Sequence, residues 1–146
     1  MIIFGKEYIL DRQGEELYLE RWQILKSKVT SWYLHKFHQG DDPVFHDHPC
    51  AIITFPLWKG YLEHRLDPYT GKKTTVRRYP FVPAYRSGTD LHWVELLPGS
   101  KPWSLCIFFP RYKPWGFVET WHNEFKWTQH QKYLNARRAK KEKKSS

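Results

Sequence analysis

Ten prolines and eight glycines interrupt this 146-residue chain at short intervals, and between them no apolar pattern of helical period runs for more than a few turns. A chain punctuated this often builds from short strands, so the fold class expected is all-β. The segments ELYLERWQIL (16–25) and SWYLHKFH (31–38) alternate and are rich in aromatics, as half-buried strands are. Further strands are read at 51–57, 61–66, 74–79, 90–97 and 103–109, with HQGDDP (38–43), DPYTGKK (67–73), PFVPAYRSG (80–88), PGSK (98–101) and PRYKPWGF (110–117) as turns and loops. Trp58-Lys59-Gly60 reads as the turn of a hairpin joining 51–57 to 61–66. About eight strands at this spacing suit a sandwich or a small barrel closed enough to hide its edges. Residues 121–134 are expected to form a short helix packed on the outside.

The chain is large enough for one domain with a core of its own, because 8 Trp, 9 Tyr and 9 Phe supply ample apolar area. Its formal charge of +9 is unevenly spread: residues 137–146 hold six Lys or Arg against one Glu. The expected organisation is therefore a single β-domain over 1–134 and a basic, disordered tail over 135–146, the tail a candidate for weak nucleic-acid contact. No apolar run approaches the ~18 residues of a membrane span, and MIIFGKEYIL meets charge too early for a secretory signal, so the expectation is cytoplasmic, without a membrane. Cys50 and Cys106 lie far apart in apolar runs and read as reduced core thiols. No GxSxG elbow, P-loop or dinucleotide fingerprint is present, and neither cysteine has an evident histidine partner in the sequence, which argues against serine or cysteine hydrolase chemistry. A homodimer is expected, with Ile2–Phe4 as a strand to exchange.

Chemistry concentrates at His46-Asp47-His48-Pro49. In an extended chain residues two apart point the same way, so both imidazoles can grip one ion. With eight histidines such a pair arises by chance often enough that a third ligand is required. His92 is the candidate, sharing one strand face with Val94 and Leu96; the alternative is a core histidine satisfied by hydrogen bonding. Glu63 enters through the hairpin. A three-residue loop sets Phe55 opposite Glu63 and makes Glu63 a diagonal neighbour of position 53, ~7 Å away and pointing inward with Tyr61 and Arg65. An even-numbered loop would turn it to solvent. Polar groups expected near the mouth are Tyr33, His35, Arg65, Tyr85, Arg86 and Arg111, with the Arg111 guanidinium suited to hold a carboxylate or phosphate in two parallel hydrogen bonds.

FHDHPCAIITFPLWKGYLE, the later LHWVELLPG and the ending FFPRYKPWGF together resemble the cupin superfamily, in particular small bacterial and phage-type cupins of unassigned function. The resemblance covers residues 30–118 and implies a jelly-roll β-barrel. Its first motif carries HxH, a carboxylate four or five residues on, then glycine; a second motif supplies one more histidine. His46, His48, Gly60 and His92 match, whereas Ile52 and Ile53 stand where the carboxylate ligand belongs, leaving Glu63 to complete or support the metal shell.

Three imidazoles and one carboxylate suit Fe(II), Zn(II), Mn(II) or Ni(II). The leading expectation is a metal-dependent cupin enzyme of the non-haem Fe(II) dioxygenase type, an oxidoreductase acting on a small polar or anionic molecule such as a nucleotide or modified base. His46, His48 and His92, with Glu63, hold the metal; Arg111, Tyr33 and Glu63 are the candidate catalytic groups. A metal-free sugar-nucleotide epimerase or isomerase, and a non-catalytic ligand-binding barrel whose tail meets nucleic acid or an acidic partner, are the competing readings.

Overall fold

The computed structural model describes residues 2–145 apart from 12, 13, 15, 122 and 123. Its strands are β1 (Ile2–Leu10), β2 (Leu17–Lys26), β3 (Ser31–Phe37), β4 (Phe45–His46), β5 (Ile52–Trp58), β6 (Tyr61–Leu66), β7 (Lys73–Arg78), β8 (Ala84–Arg86), β9 (Leu91–Glu95), β10 (Trp103–Phe108), β11 (Gly116–Trp121) and β12 (Glu124–Gln129), and one helix, α1, spans His130–Ser145. They form two antiparallel six-stranded sheets, ordered β1-β2-β3-β10-β5-β8 and β12-β11-β4-β9-β6-β7. This is a cupin jelly roll with a C-terminal helix, as expected. Strand β1 pairs with β2, from Ile2 opposite Leu25 to Leu10 opposite Leu17, and forms the edge of the first sheet.

Period-two burial decides which side chains meet inside. Along β5, Ile52, Thr54 and Pro56 are buried while Ile53, Phe55 and Leu57 turn outward; along β10, Ser104 and Cys106 are buried between half-buried neighbours. The inner wall of the first sheet also carries His35, Ala84 and Arg86, and that of the second carries His46, Tyr61, Glu63, His92 and Val94. The interior is therefore markedly polar. A separate apolar cluster of Leu66, Leu91, Val118 and Phe45 lies on the outer face of the second sheet.

Three expectations are corrected. Strands β5 and β6 do not form a hairpin: they belong to opposite sheets, and Lys59 and Gly60, both at positive φ, carry the chain across a corner. A Cβ on Gly60 would stand 2.1 Å from the Arg78 carbonyl oxygen, which keeps this corner for glycine. Second, the loop readings at 80–88 and 110–117 hide β8 and the start of β11. Both are short or flanked by proline, so composition alone reads them as coil.

Third, 121–134 is not a helix throughout, and the helix that begins within it runs on through 135–145. Strands β11 and β12 form a hairpin with Val118 opposite Trp127; of the stretch read as helical, His122 and Asn123 lie outside the described residues. The helix begins at His130, its first turn capped by the Gln129 side-chain oxygen, which accepts from the Gln131 and Lys132 amides at 3.0 and 3.2 Å. It continues through the basic run because Ala, Arg and Lys are strong helix formers.

Both cysteines are buried and free, as expected. Cys106 Sγ lies 3.5 Å from His35 Nδ1, and burial pushes its thiol up to about 11. Burial, with the positive charge of Arg21, pulls His35 down to about 3. An imidazole neutral in the fold but protonated near pH 6.5 once unfolded makes stability fall as pH drops from about 6.5 toward 3. By pH 4.5 His35 accounts for a loss on the order of 2–3 kcal/mol. A His35→Gln variant is expected to lose less stability than the parent between pH 7 and 4.5 in denaturant titrations; equal losses would contradict this assignment.

Candidate metal centre

His46 is fixed by both neighbours of its short strand, opposite Phe117 of β11 and directly opposite His92 of β9. His48 follows two residues on, its amide donating to the Gly88 carbonyl at 3.0 Å. The three rings form a near-equilateral triangle, with centroids 5.1, 4.8 and 4.9 Å apart. One nitrogen from each lies within 4.8 Å of the others.

What turns the pair is the residue between them. Asp47 is buried and points the other way, where its carboxylate accepts from the Gly116 amide at 2.7 Å, Lys113 Nζ at 2.9 Å and Trp127 Nε1 at 3.1 Å. Lys113 also donates to the His48 carbonyl at 3.0 Å. Pinned to β11, Asp47 presents His46 and His48 on the opposite side.

Glu63 is fully buried and stands behind the triangle rather than in it. Arg86 grips its carboxylate through Nε at 3.1 Å and Nη2 at 2.7 Å, Arg78 donates from Nε at 2.7 Å, and His92 Nδ1 lies 3.4 Å from Oε1. Burial alone would raise this carboxyl, but His92, Arg86 and Arg78 outweigh it and hold it well below the usual range. Arg86 also donates to Thr54 Oγ1 at 2.9 Å and Tyr61 Oη at 3.1 Å, which fixes its guanidinium across both sheets. The expected ligand role is corrected accordingly. Glu63 does point inward, not through a β5–β6 hairpin but because β6 pairs with β9, Glu63 beside Val94 and Arg65 beside His92. With its oxygens taken by two guanidinia, it stands behind His92 where the carboxylate of a carboxylate–histidine–metal arrangement would be.

The donor set fits a cation on one specific observation. The Glu63 carboxylate, 3.4 Å from His92 Nδ1, favours the tautomer with the proton on that nitrogen and a lone pair on Nε2, and Nε2 lies 2.7 Å from His48 Nε2. Burial first, then the neighbouring His46 and His92, holds His48 well below its ordinary pKa and so neutral. Two imidazole nitrogens at that separation share either a proton, as an N–H···N hydrogen bond, or a cation held by both lone pairs.

Two cavities adjoin the triangle. The inner one, about 140 Å³, runs between the sheets past His35, Thr54, Tyr61, Arg86 and Cys106. The outer basin, about 640 Å³, has His46 and His48 at its floor and Tyr18, Arg21, Trp115 and Arg138 among its walls. Asp41 borders both, its Oδ2 4.0 Å from His46 Nε2; it accepts from the Val94 amide at 2.8 Å and from the Tyr18 hydroxyl.

Arg111 and Tyr33 are not brought to these cavities. Arg111 is exposed, and Tyr33 packs edge-on to Phe108 at 5.4 Å beneath the Arg21 guanidinium, so neither lines the space beside the histidines. Of the other groups expected at the mouth, His35 and Arg86 line the inner cavity, Arg65 pairs with Asp90 at 3.4 Å and Tyr85 is exposed. Asp41, Tyr18 and Arg138 take the places expected of Arg111 and Tyr33. Only the acidic pair Asp41-Asp42 just before HxH could have signalled them, and it reads as ordinary loop.

No family model and no curated protein matches the sequence. Solved structures do match in fold. One is Fe(II) HppE, at 12% identity and TM-score 0.54, covering 73% of this chain and 56% of that one. Another is an oxalate decarboxylase variant from Bacillus subtilis, at 11% identity and TM-score 0.56, covering 74% of this chain and 28% of the other. An oxalate decarboxylase from Lactobacillus farciminis in complex with formate matches at 11% identity, TM-score 0.56, over 75% of this chain and 31% of that one. The chain thus spans little more than half of the first and under a third of the others. These neighbours are cupin proteins; the chain shares their jelly-roll fold, and His46, His48 and His92 form a group that could hold a metal ion. Among the described residues no helix is long and apolar enough to cross a membrane.

Proposed function

We propose that this protein is a metal-dependent cupin enzyme of the oxidoreductase class, with Fe(II) as the working metal and a small polar or anionic group as substrate. The observation that supports it is the convergence of His46, His48 and His92, the first two at the floor of an open basin, with no carboxylate inside the triangle. When bound there, a divalent ion supplies a Lewis acid and, as Fe(II), a redox centre. The chain's own groups supply the rest. Glu63 holds the His92 proton on Nδ1, Arg86 and Arg78 keep Glu63 ionised, and Asp47 aims the HxH pair. The Tyr18 hydroxyl donates to Asp41 at the rim of the basin, where the pair can relay a proton to or from a bound molecule. A metal-free epimerase needs one base, and the three mutually facing imidazoles weigh against it.

Reconstituted anaerobically with Fe(II) and exposed to nitric oxide, the protein is expected to give the half-integer-spin EPR signal of an iron with exchangeable positions beside its protein ligands. Absence of that signal from iron-loaded protein would overturn the oxidoreductase reading.

A further inference from the structure

Helix α1 has two unlike halves. The first is docked: Tyr133, its one buried residue, stacks on Phe117 at 4.3 Å, and the His130 ring lies flat on Trp115 at 4.5 Å. Leu134 and Arg138 form part of the basin wall, and Arg137 pairs with Asp42. Phe117 in turn lies 5.9 Å from the His46 ring, so this half is seated against the metal centre. The second half is exposed at every residue from Arg138 to Ser145. The helix carries seven of the 24 basic side chains and one of the 15 acidic ones, hence +6 of the formal +9 charge. Lys140 and Lys144, and Arg137 and Lys141, stand four apart, where like charges repel along a helix.

A surface of this kind is matched by a polyanion. Past Leu134 its only apolar side chains are Ala136 and Ala139, so it has no face to insert into a bilayer. Cations from Lys132 to Lys144 line about 18 Å of helix axis, enough to follow several phosphates and release their counterions. The track leads to a basin whose walls include the Trp115 and Tyr18 rings. A base inside a duplex cannot enter such a basin, whereas one in a single strand turns in at modest cost.

We infer that helix α1 is a track for single-stranded nucleic acid ending at the mouth of the three-histidine basin, so that the group offered to the centre is one nucleotide of a strand. The second clause rests on the metal-centre reading; the first does not. In fluorescence anisotropy with a labelled single-stranded oligonucleotide, the full chain is expected to bind with a log–log salt slope of about −3, or roughly four phosphates neutralised. Replacing Lys140, Lys141, Lys143 and Lys144 together by Gln, which preserves helix propensity, is expected to weaken binding at least about tenfold at low salt and to flatten the slope by about 0.7 for each phosphate left without its cation. With dioxygen as oxidant and ascorbate as electron donor, iron-loaded protein is expected to oxidise a sugar of the bound strand and so cut it, the dioxygen being reduced to water, and the loaded quadruple variant at the same concentration to leave the strand intact. Unchanged affinity in the quadruple variant, or tighter binding to phosphatidylserine vesicles than to the oligonucleotide, overturns the track. A strand that is bound yet uncut by loaded protein overturns its ending at the basin. A chain that takes up no metal defeats the metal-centre reading and the second clause with it, while anisotropy still decides the first.

Discussion

Replacing Glu63 by alanine is expected to cost about 3–5 kcal/mol of stability and to weaken metal binding roughly 10–100-fold. The reason is the company this carboxylate keeps. Arg86 and Arg78 both bond it in a site from which water is excluded, and its removal leaves at least one buried guanidinium without a counter-charge. His92 also loses the group that holds its proton on the far nitrogen. Glu63→Gln keeps the volume but sets an amide against guanidinium donors, and should recover less than half of the loss. Replacing Glu63 and Arg86 together by apolar residues should be milder in stability than either single change, yet leave metal binding weak, because only the first effect is a matter of paired charges. Denaturant unfolding and competition with a chelator measure the two separately. A Glu63→Ala loss below about 1 kcal/mol would contradict this account.

Asp47→Ala carries the second large effect. Its carboxylate satisfies a backbone amide, an ammonium and an indole N–H. Deletion is expected to cost about 2–4 kcal/mol and to release the strand segment that aims His46 and His48, so that metal affinity falls even where the fold survives. Asn is expected to rescue little, since its amide group turns donors toward donors. The check is metal retention in protein shown by circular dichroism to be folded at low temperature. A folded Asp47→Ala protein that binds metal like the parent would show that the pair is aimed by something else.

Much of this centre is legible in the sequence because it depends on period two. HxH puts two rings on one side of an extended chain, and the alternation around His92 puts a third on an inner face; neither inference needs to know which strands are neighbours. Glu63 shows the limit of that reasoning. Its inward direction is reached from a hairpin that does not exist, since Lys59 and Gly60 change sheets, and only the pairing of β6 with β9 explains its place behind His92. Arg86 is hidden in a segment punctuated by proline, and its importance lies in crossing from one sheet to the other. Tyr18 and Asp41 are 23 residues apart and meet only because β2 and the loop before β4 share a rim. The basic run reads as solvated tail because its charges mask good helix propensity; its docking depends on Tyr133 and His130 meeting rings of β11 and its approach.

Every role proposed for Glu63, Asp47 and the basin depends on His46, His48 and His92 holding one metal ion. Elemental analysis of untagged protein, with His46→Ala and His92→Ala variants prepared in parallel, tests it directly. The prediction is about one first-row transition metal per parent chain and less than about a tenth of that in each folded variant. A parent that binds none when metals are supplied, or a His92→Ala protein that keeps its full complement, would contradict it.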